Sequence, residues 1–151
     1  VLCCKYAYVR VPVEFKEAGI CNLGFGDIES RDLCTALCGC QEAYILGVTI
    51  GIKADMLIKR LEIASPAEAF ITDALASAAA ESLCELADDT LRGVGKKPIR
   101  FSPGYGDLPL SVQPAVLAVL NADYTLGIAL SPSFLMTPMK SVTAIMGILP
   151  N

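Results

Sequence analysis

The octapeptide Arg100-Phe101-Ser102-Pro103-Gly104-Tyr105-Gly106-Asp107 carries the densest chemical signal in the 151-residue chain. A guanidinium offers a planar fork that matches a carboxylate. Five positions later a tyrosine stands between two glycines, which lets backbone approach a ligand closely and projects the phenol from a loop. Arg100 and Tyr105 together suit a small ligand with an anionic end and an aromatic or cationic body. Pro-Gly-x-Gly is also ordinary turn chemistry, with Arg100 then a solvated charge, and the residues alone leave both readings open.

The rest of the composition narrows the chemistry. The chain has no histidine and no tryptophan. Nucleophiles of the Ser-His-Asp and Cys-His types, histidine-based zinc sites and the ordinary neutral-pH general base are therefore excluded. What remains is carboxylates, Tyr, Lys, Arg, thiols or a bound group. The net charge is −4 and the seven lysines are scattered, which argues against a nucleic-acid surface. With 54% hydrophobic and 19% charged residues the chain is expected to fold as one domain over residues 1–151. The longest uncharged run, Tyr124 to Met139, is interrupted by Gly127, Pro132, Pro138 and four hydroxyl residues, so it falls short of the roughly 20 apolar residues of a membrane span. No signal-peptide pattern is seen at the start, Val1 in place of Met implies a processed or incompletely represented N-terminus, and a cytoplasmic location is expected.

Seven cysteines, Cys3, Cys4, Cys21, Cys34, Cys38, Cys40 and Cys84, do not form the even set of a secreted disulfide framework. The spacing Cys34-x-x-x-Cys38-x-Cys40 invites a metal or redox reading, but it lacks the Cys-x-x-Cys pairs of zinc and iron–sulfur sites and shows no fourth ligand. Cys34 and Cys38, four apart on a short helix, are expected to pack as structural thiols, and no metal is expected.

These residues need elements to position them. A long helix is predicted from Ser65 to Arg92: Ser65-Pro66-Ala67-Glu68 reads as a capping box with Pro at the first helical position, and Gly93 stops it. Phe70, Ile71, Ala74, Leu75, Ala78, Leu83 and Leu86 make its apolar stripe, and the small residues of Ala76–Ala80 require a close neighbour. Ser30 caps a shorter helix through Cys38, ended by Gly39. Ala43–Ile52 reads as a buried strand, followed by a helix over Ala54–Ile63. Tyr6 and Tyr8 lie on a half-buried strand. From Phe101 to the end there are only three charged residues, Asp107, Asp123 and Lys140. There the pattern predicts a helix over Leu110–Leu120, with Pro114 in its first turn, and strands near Ile128–Leu130 and Val142–Leu149. So uncharged a segment must be buried or form a binding surface. Met136 and Met139 read as core filling and Lys140 as a solvated gatekeeper. Asp88-Asp89, at a helix C-terminus, opposes the macrodipole. Mixed elements without βαβ alternation point to α+β.

The run Arg100 to Asp107 resembles the Arg-x-x-Pro-Gly-Tyr motif of the activation domain of cobalamin-dependent methionine synthase, in the short free-standing form found in anaerobic bacteria. Leu130-x-x-Ser133-Phe134-x-Met136-x-Pro138, followed by Ser141-Val142-Thr143, is similar to that family's second signature, and Ala79-Ala80-Glu81-Ser82 to the helix before the motif. The resemblance spans about Ser30 to Leu149. It implies an α+β fold with a curved, mainly antiparallel central sheet flanked by helices. It also implies binding of S-adenosylmethionine and reductive methylation of cob(II)alamin with an electron from a flavodoxin-like donor. By position, Arg100 would bind the ligand's carboxylate, and Ser102, Pro103, Gly104, Tyr105 and Gly106 would line its pocket. Tyr105 would also face the corrin and Glu81 would approach the cobalt face, making these two the candidate catalytic residues. The acid for the ligand's amino group would be one of Asp27, Glu29 and Asp32. The Arg92–Arg100 connection is shorter than in the long methionine synthases. Nothing resembles the Asp-x-His-x-x-Gly fingerprint of cobalamin carriers, so the resemblance places the corrinoid on a separate methionine synthase or other corrinoid protein. The alternative function is a non-catalytic module of the same fold that recognises a corrinoid protein or a nucleoside-like ligand.

Overall fold

The computed structural model describes residues 2–93 and 99–150. Residues 94–98, and with them most of the Arg92–Arg100 connection, lie outside the described residues.

The apolar, β-branched stretch after Gln41 forms β5 (Glu42–Thr49), which lies inside the main sheet. It pairs antiparallel with β1 (Lys5–Pro12), Lys5 opposite Thr49 and Pro12 opposite Glu42. On its other side it pairs antiparallel with β9 (Ser141–Ile148), Glu42 opposite Ile148 and Thr49 opposite Ser141. The two-residue β6 (Arg100–Phe101) then pairs with β9, Arg100 opposite Met146, which completes the order β1-β5-β9-β6. Alternation along the strands sends Ile45 and Ile145 to one face, against Val116, Leu117 and Leu120 of α4 (Gln113–Leu120). Leu46, Val48, Ala144 and Met146 go to the other face, against Cys84 and Ala87 of α3 (Pro66–Arg92). Burial on both faces explains why β5 and β9 read as unbroken apolar runs.

A second antiparallel sheet, β2 (Glu14–Glu17), β3 (Ile20–Asn22) and β4 (Asp27–Glu29), has no counterpart in the sequence reading. Its strands are three or four residues long and mostly polar, too short for a periodic signal; Cys21 and Ile28, with Leu23 between β3 and β4, tie it to the core. Ser30 caps α1 (Arg31–Ala36) as expected, its Oγ accepting from Leu33 N at 3.0 Å. The helix ends two residues earlier than predicted, leaving Cys38 exposed and correcting its assignment to the core; Cys40 is buried and Cys34 half-buried.

Following β5 in the chain, α2 (Ile52–Ala64) packs along α3, which itself lies directly on the sheet. The predicted capping box at Ser65 does not form: the Ser65 hydroxyl makes no cap bond. Its backbone N–H already closes α2 on Leu61 O at 2.7 Å, and Pro66 starts α3 where a missing N–H costs nothing. The stripe on α3 is also largely inverted, with Leu83 alone among the stripe's larger side chains packed against the core. Phe70, Ile71, Leu75 and Leu86 point outward, and Ala69, Ala76, Ala80, Cys84 and Ala87 point inward. Ala76 and Ala80 pack on Ile50, Ala54 and Ile58, a separation that admits alanine and not leucine. Asp88 is buried and paired with Arg92, Nη2 to Oδ2 at 2.7 Å, and Arg92 Nη1 also donates to Gly147 O at 3.1 Å. The acid that opposes the dipole is thus neutralised by a cation tied to β9.

Tyr6 and Tyr8 lie on β1, exposed rather than half-buried, with Tyr8 edge-on to Tyr44 at 5.8 Å between centroids. A turn of 3-10 helix over Leu110–Val112 precedes α4, and Pro114 falls in its first turn. α5 (Ala122–Thr125) follows, then a small hairpin of β7 (Ala129–Leu130) and β8 (Met136–Thr137). Among the described residues no helix is long and apolar enough to cross a membrane.

Candidate functional site

Arg100 leaves the sheet edge on β6 and reaches back to α3. Its Nη2 lies 3.2 Å from Glu85 Oε1 and 3.7 Å from Glu81 Oε2, and its side chain is only 23% exposed. The guanidinium is therefore neither free in solvent nor fully engaged, because both acids are themselves well exposed. Cys84, between them on α3, has its thiol pushed up by burial, an effect the Arg100 charge partly offsets.

After β6 the chain folds into tight turns. Tyr105 N donates to Ser102 O at 3.0 Å, Gly104 N to Leu108 O at 2.9 Å and Leu108 N to Tyr105 O at 2.9 Å. Tyr105 is 67% exposed, and its ring rests 6.2 Å from that of Phe101 between centroids, tilted 58°. The loop's far end is clasped to α1. The Asp107 carboxylate accepts from Ser30 Oγ, from Arg31 N at 2.9 Å and from Asp32 N at 3.2 Å. Asp32 Oδ2 accepts from Asp107 N at 3.0 Å. The Ser30 bond, with help from the two backbone donors, holds the Asp107 carboxyl below the usual carboxylate range.

Beside the loop opens a cleft of about 440 Å³, within the range of small-molecule sites. Leu110, Phe134, Leu135, Met136 and Met139 form its apolar walls; Gln113 and Thr143 contribute polar groups. A second hollow of about 270 Å³ adjoins it, bordered by Arg100, Cys84, Ile99 and Ala144, and the two share Glu81, Ser102, Tyr105 and Val142. The result is a two-lobed site, one lobe apolar and the other charged, hinged on the tyrosine loop. Its Met139 wall is fastened from behind. Met139 N donates to Asp55 Oδ2 of α2 at 2.7 Å, and Lys140 Nζ lies 2.8 Å from Asp73 Oδ1 and 2.9 Å from Ser77 Oγ of α3. Lys140 is thus a tether and not a solvated gatekeeper, and Met139 is an exposed cleft wall and not core filling. Both departures come from the sharp turn into β9, which aims Met139 at the cleft and Lys140 at α3.

Of the residues singled out in the sequence, Glu81, Ser102, Pro103 and Tyr105 line the larger lobe, and Arg100 the smaller. Gly104 and Gly106 line neither; they shape the loop, both at positive φ. The three candidate acids also stand off the cleft. Asp27 is paired with Asn22 at 2.8 Å and Lys16 at 2.9 Å, Glu29 is exposed on β4, and Asp32 closes the clasp. Gln113 was missed, and Thr143 was read only as part of the Ser141-Val142-Thr143 signature. For Gln113 the only available signal was a lone amide in almost uncharged surroundings. Among the described residues no three Cys, Asp or Glu are grouped as metal ligands would be.

No protein-family model and no curated protein matches the chain. The fold nevertheless has a defined class: an antiparallel α+β sheet flanked by helices. Among solved structures, the crystal structure of the MetH reactivation domain bound to AdoHcy (S-adenosylhomocysteine) shares it. The TM-score is 0.75 over 99% of this chain and 60% of that one, at 16% sequence identity. The chain therefore has the fold of that reactivation domain and spans 60% of the length of the solved chain.

Proposed function

We propose that the two-lobed cleft binds S-adenosylmethionine and that the chain supports reductive methylation of a cob(II)alamin carried by a separate corrinoid protein. The observation that carries this reading is the junction of the lobes. A half-buried arginine sits at the head of a small charged hollow, and an apolar hollow adjoins it across Glu81, Ser102 and Tyr105. An amino-acid end and a nucleoside body joined at a sulfonium need such a division: a guanidinium for the carboxylate, electronegative groups near the sulfonium, and apolar walls for the base. The bound AdoHcy of the solved structure with this fold supports the same ligand class.

In the reaction proposed, one electron from a flavodoxin-like donor reduces the corrinoid cobalt. The reduced cobalt of that corrinoid substrate would give its electron pair to the methyl carbon, forming a cobalt–carbon bond as the C–S bond breaks and its bonding pair stays on sulfur to give S-adenosylhomocysteine. This chain's part is to hold the methyl donor and exclude water. Arg100 anchors the carboxylate by exchanging it for Glu85. Tyr105, exposed at the rim, covers the sulfonium and meets the incoming corrin. Glu81, shared by both lobes, places a carboxylate near the positive sulfur. None of these roles requires an imidazole.

Isothermal titration with S-adenosylmethionine and S-adenosylhomocysteine, on the native chain and on Arg100→Ala, tests the site. Saturable heat that weakens by at least tenfold in the variant is expected. No heat with the native chain, or equal affinity in both, rejects the reading. Formation of methylcobalamin on a corrinoid partner under reducing conditions, with and without this chain, then separates catalysis from binding.

A further inference from the structure

The floor of the apolar lobe contains a hydrogen-bond donor that the fold leaves poorly used. Gln113 opens α4 with its side chain buried, only 2% of the residue being exposed, yet it lines the cleft. Its Oε1 accepts from Thr143 Oγ1 on β9 at 2.9 Å, an arrangement that turns the amide oxygen toward the strand. Its Nε2 is left to donate to Met136 Sδ at 3.1 Å. A thioether is a weak acceptor, and an amide nitrogen has two hydrogens to place. The hydroxyl of Ser141, which also lines the cleft, is spent on Thr49 Oγ1 and Pro138 O. A buried donor with such a poor partner is costly until a better acceptor arrives.

We infer that Gln113 is the residue that reads the ligand's base: its amide N–H donates to a ring nitrogen of the purine, displacing or sharing the Met136 contact. The inference rests on the binding reading above and names the specificity of that same cleft. Thr143 is a positioning residue: its hydroxyl engages Oε1 while Nε2 faces Met136, so the donor is directed away from β9. The cleft then requires a heteroaromatic ring with an unprotonated nitrogen at one edge. A ring with C–H at that edge would leave the donor on sulfur.

The test uses the full chain and four probes: S-adenosylhomocysteine and its 1-deaza, 3-deaza and 7-deaza analogues, each replacing one ring nitrogen by C–H. On the native chain one analogue is expected to bind about tenfold more weakly than the parent, the scale of one buried hydrogen bond. On Gln113→Met the parent falls by a similar factor, and that analogue and the parent bind alike. Gln113→Glu, which keeps the shape and an acceptor, serves as the second variant if Met disturbs packing; thermal melts confirm that each variant is folded. If the native chain binds none of the probes, the binding reading itself fails. If it binds all four equally, or if Gln113→Met and Gln113→Glu still discriminate as the native chain does, the cleft reading stands and the role of Gln113 is overturned.

Discussion

Replacing Gly106 by alanine isolates the clasp that fixes the tyrosine loop. Gly106 has φ 52°, and a Cβ built there would stand 2.2 Å from Asp32 Oδ2 and 3.1 Å from Asp32 Cγ. Two costs arise. The left-handed backbone costs an alanine about 1 kcal/mol. Asp32 must also swing aside and release the Asp107 N–H it accepts at 3.0 Å, a net loss of about 0.5–1 kcal/mol. Gly127→Ala is the control, because Gly127 has φ 69° but nothing within 4 Å of its Cβ, so only the backbone cost applies. In a domain of this size about 1 kcal/mol moves Tm by about 2–4 °C. Calorimetry should therefore place Gly127→Ala about 2–4 °C below the native chain and Gly106→Ala about 3–8 °C below it. In an Asp32→Ala background the excess should vanish, since the colliding carboxylate is gone. Equal melting of the two glycine variants, or an excess that persists without Asp32, would refute the reasoning.

The Asp107 carboxyl is held below its ordinary range, so the folded state favours its charged form. The stability it contributes is complete above the ordinary carboxylate pKa and is lost as pH falls through the lower native value. Tm should therefore drop more steeply between about pH 5 and 2 in the native chain than in Asp107→Asn, and parallel acid limbs would count against the clasp. On α3, denaturant titration should find Ala80→Leu destabilised by about 1–3 kcal/mol by overpacking. Phe70→Ser and Leu75→Ser, on the outward face, should stay within about 0.5 kcal/mol of native, and the opposite order would contradict the inverted stripe. Brief alkylation followed by mass spectrometry should label the exposed Cys3, Cys4 and Cys38 first. Cys21, pushed up to about 12 by burial and by neighbouring Cys34, should react only on unfolding, as should Cys40 and Cys84. Early labelling of Cys84 would contradict the packing of α3.

The long elements and the tyrosine loop were legible because their signals are local. Proline and glycine punctuate α3, the β-branched runs of β5 and β9 permit little else, and the glycines around Tyr105 announce a turn. What was not legible depends on tertiary context. The face that α3 buries was misjudged because burial follows available space as well as hydrophobicity: a helix lying close to α2 must turn alanines inward, whatever larger side chains it carries. Ser65 resembles a capping residue until α2 ends on it. The acids near Ser30 looked like ligand partners, but the structure commits Asp32 to the loop backbone 75 residues away. Gln113 gave no warning, because its significance lies in Thr143 and Met136, on elements that meet it only in the fold.

Four polar residues on α3 fall at intervals of four: Asp73, Ser77, Glu81 and Glu85. The first two hold Lys140 and the last two hold Arg100. At 1.5 Å per residue each interval is about 6 Å, so the two attachment points are about 12 Å apart along one stiff rod. The helix therefore works as a ruler, setting the spacing between the two cations that flank the cleft. A loop could vary that spacing by drifting. A helix can change it only by a discrete step, one turn along or a rotation that releases both cations together, and its buried alanine seam resists either movement.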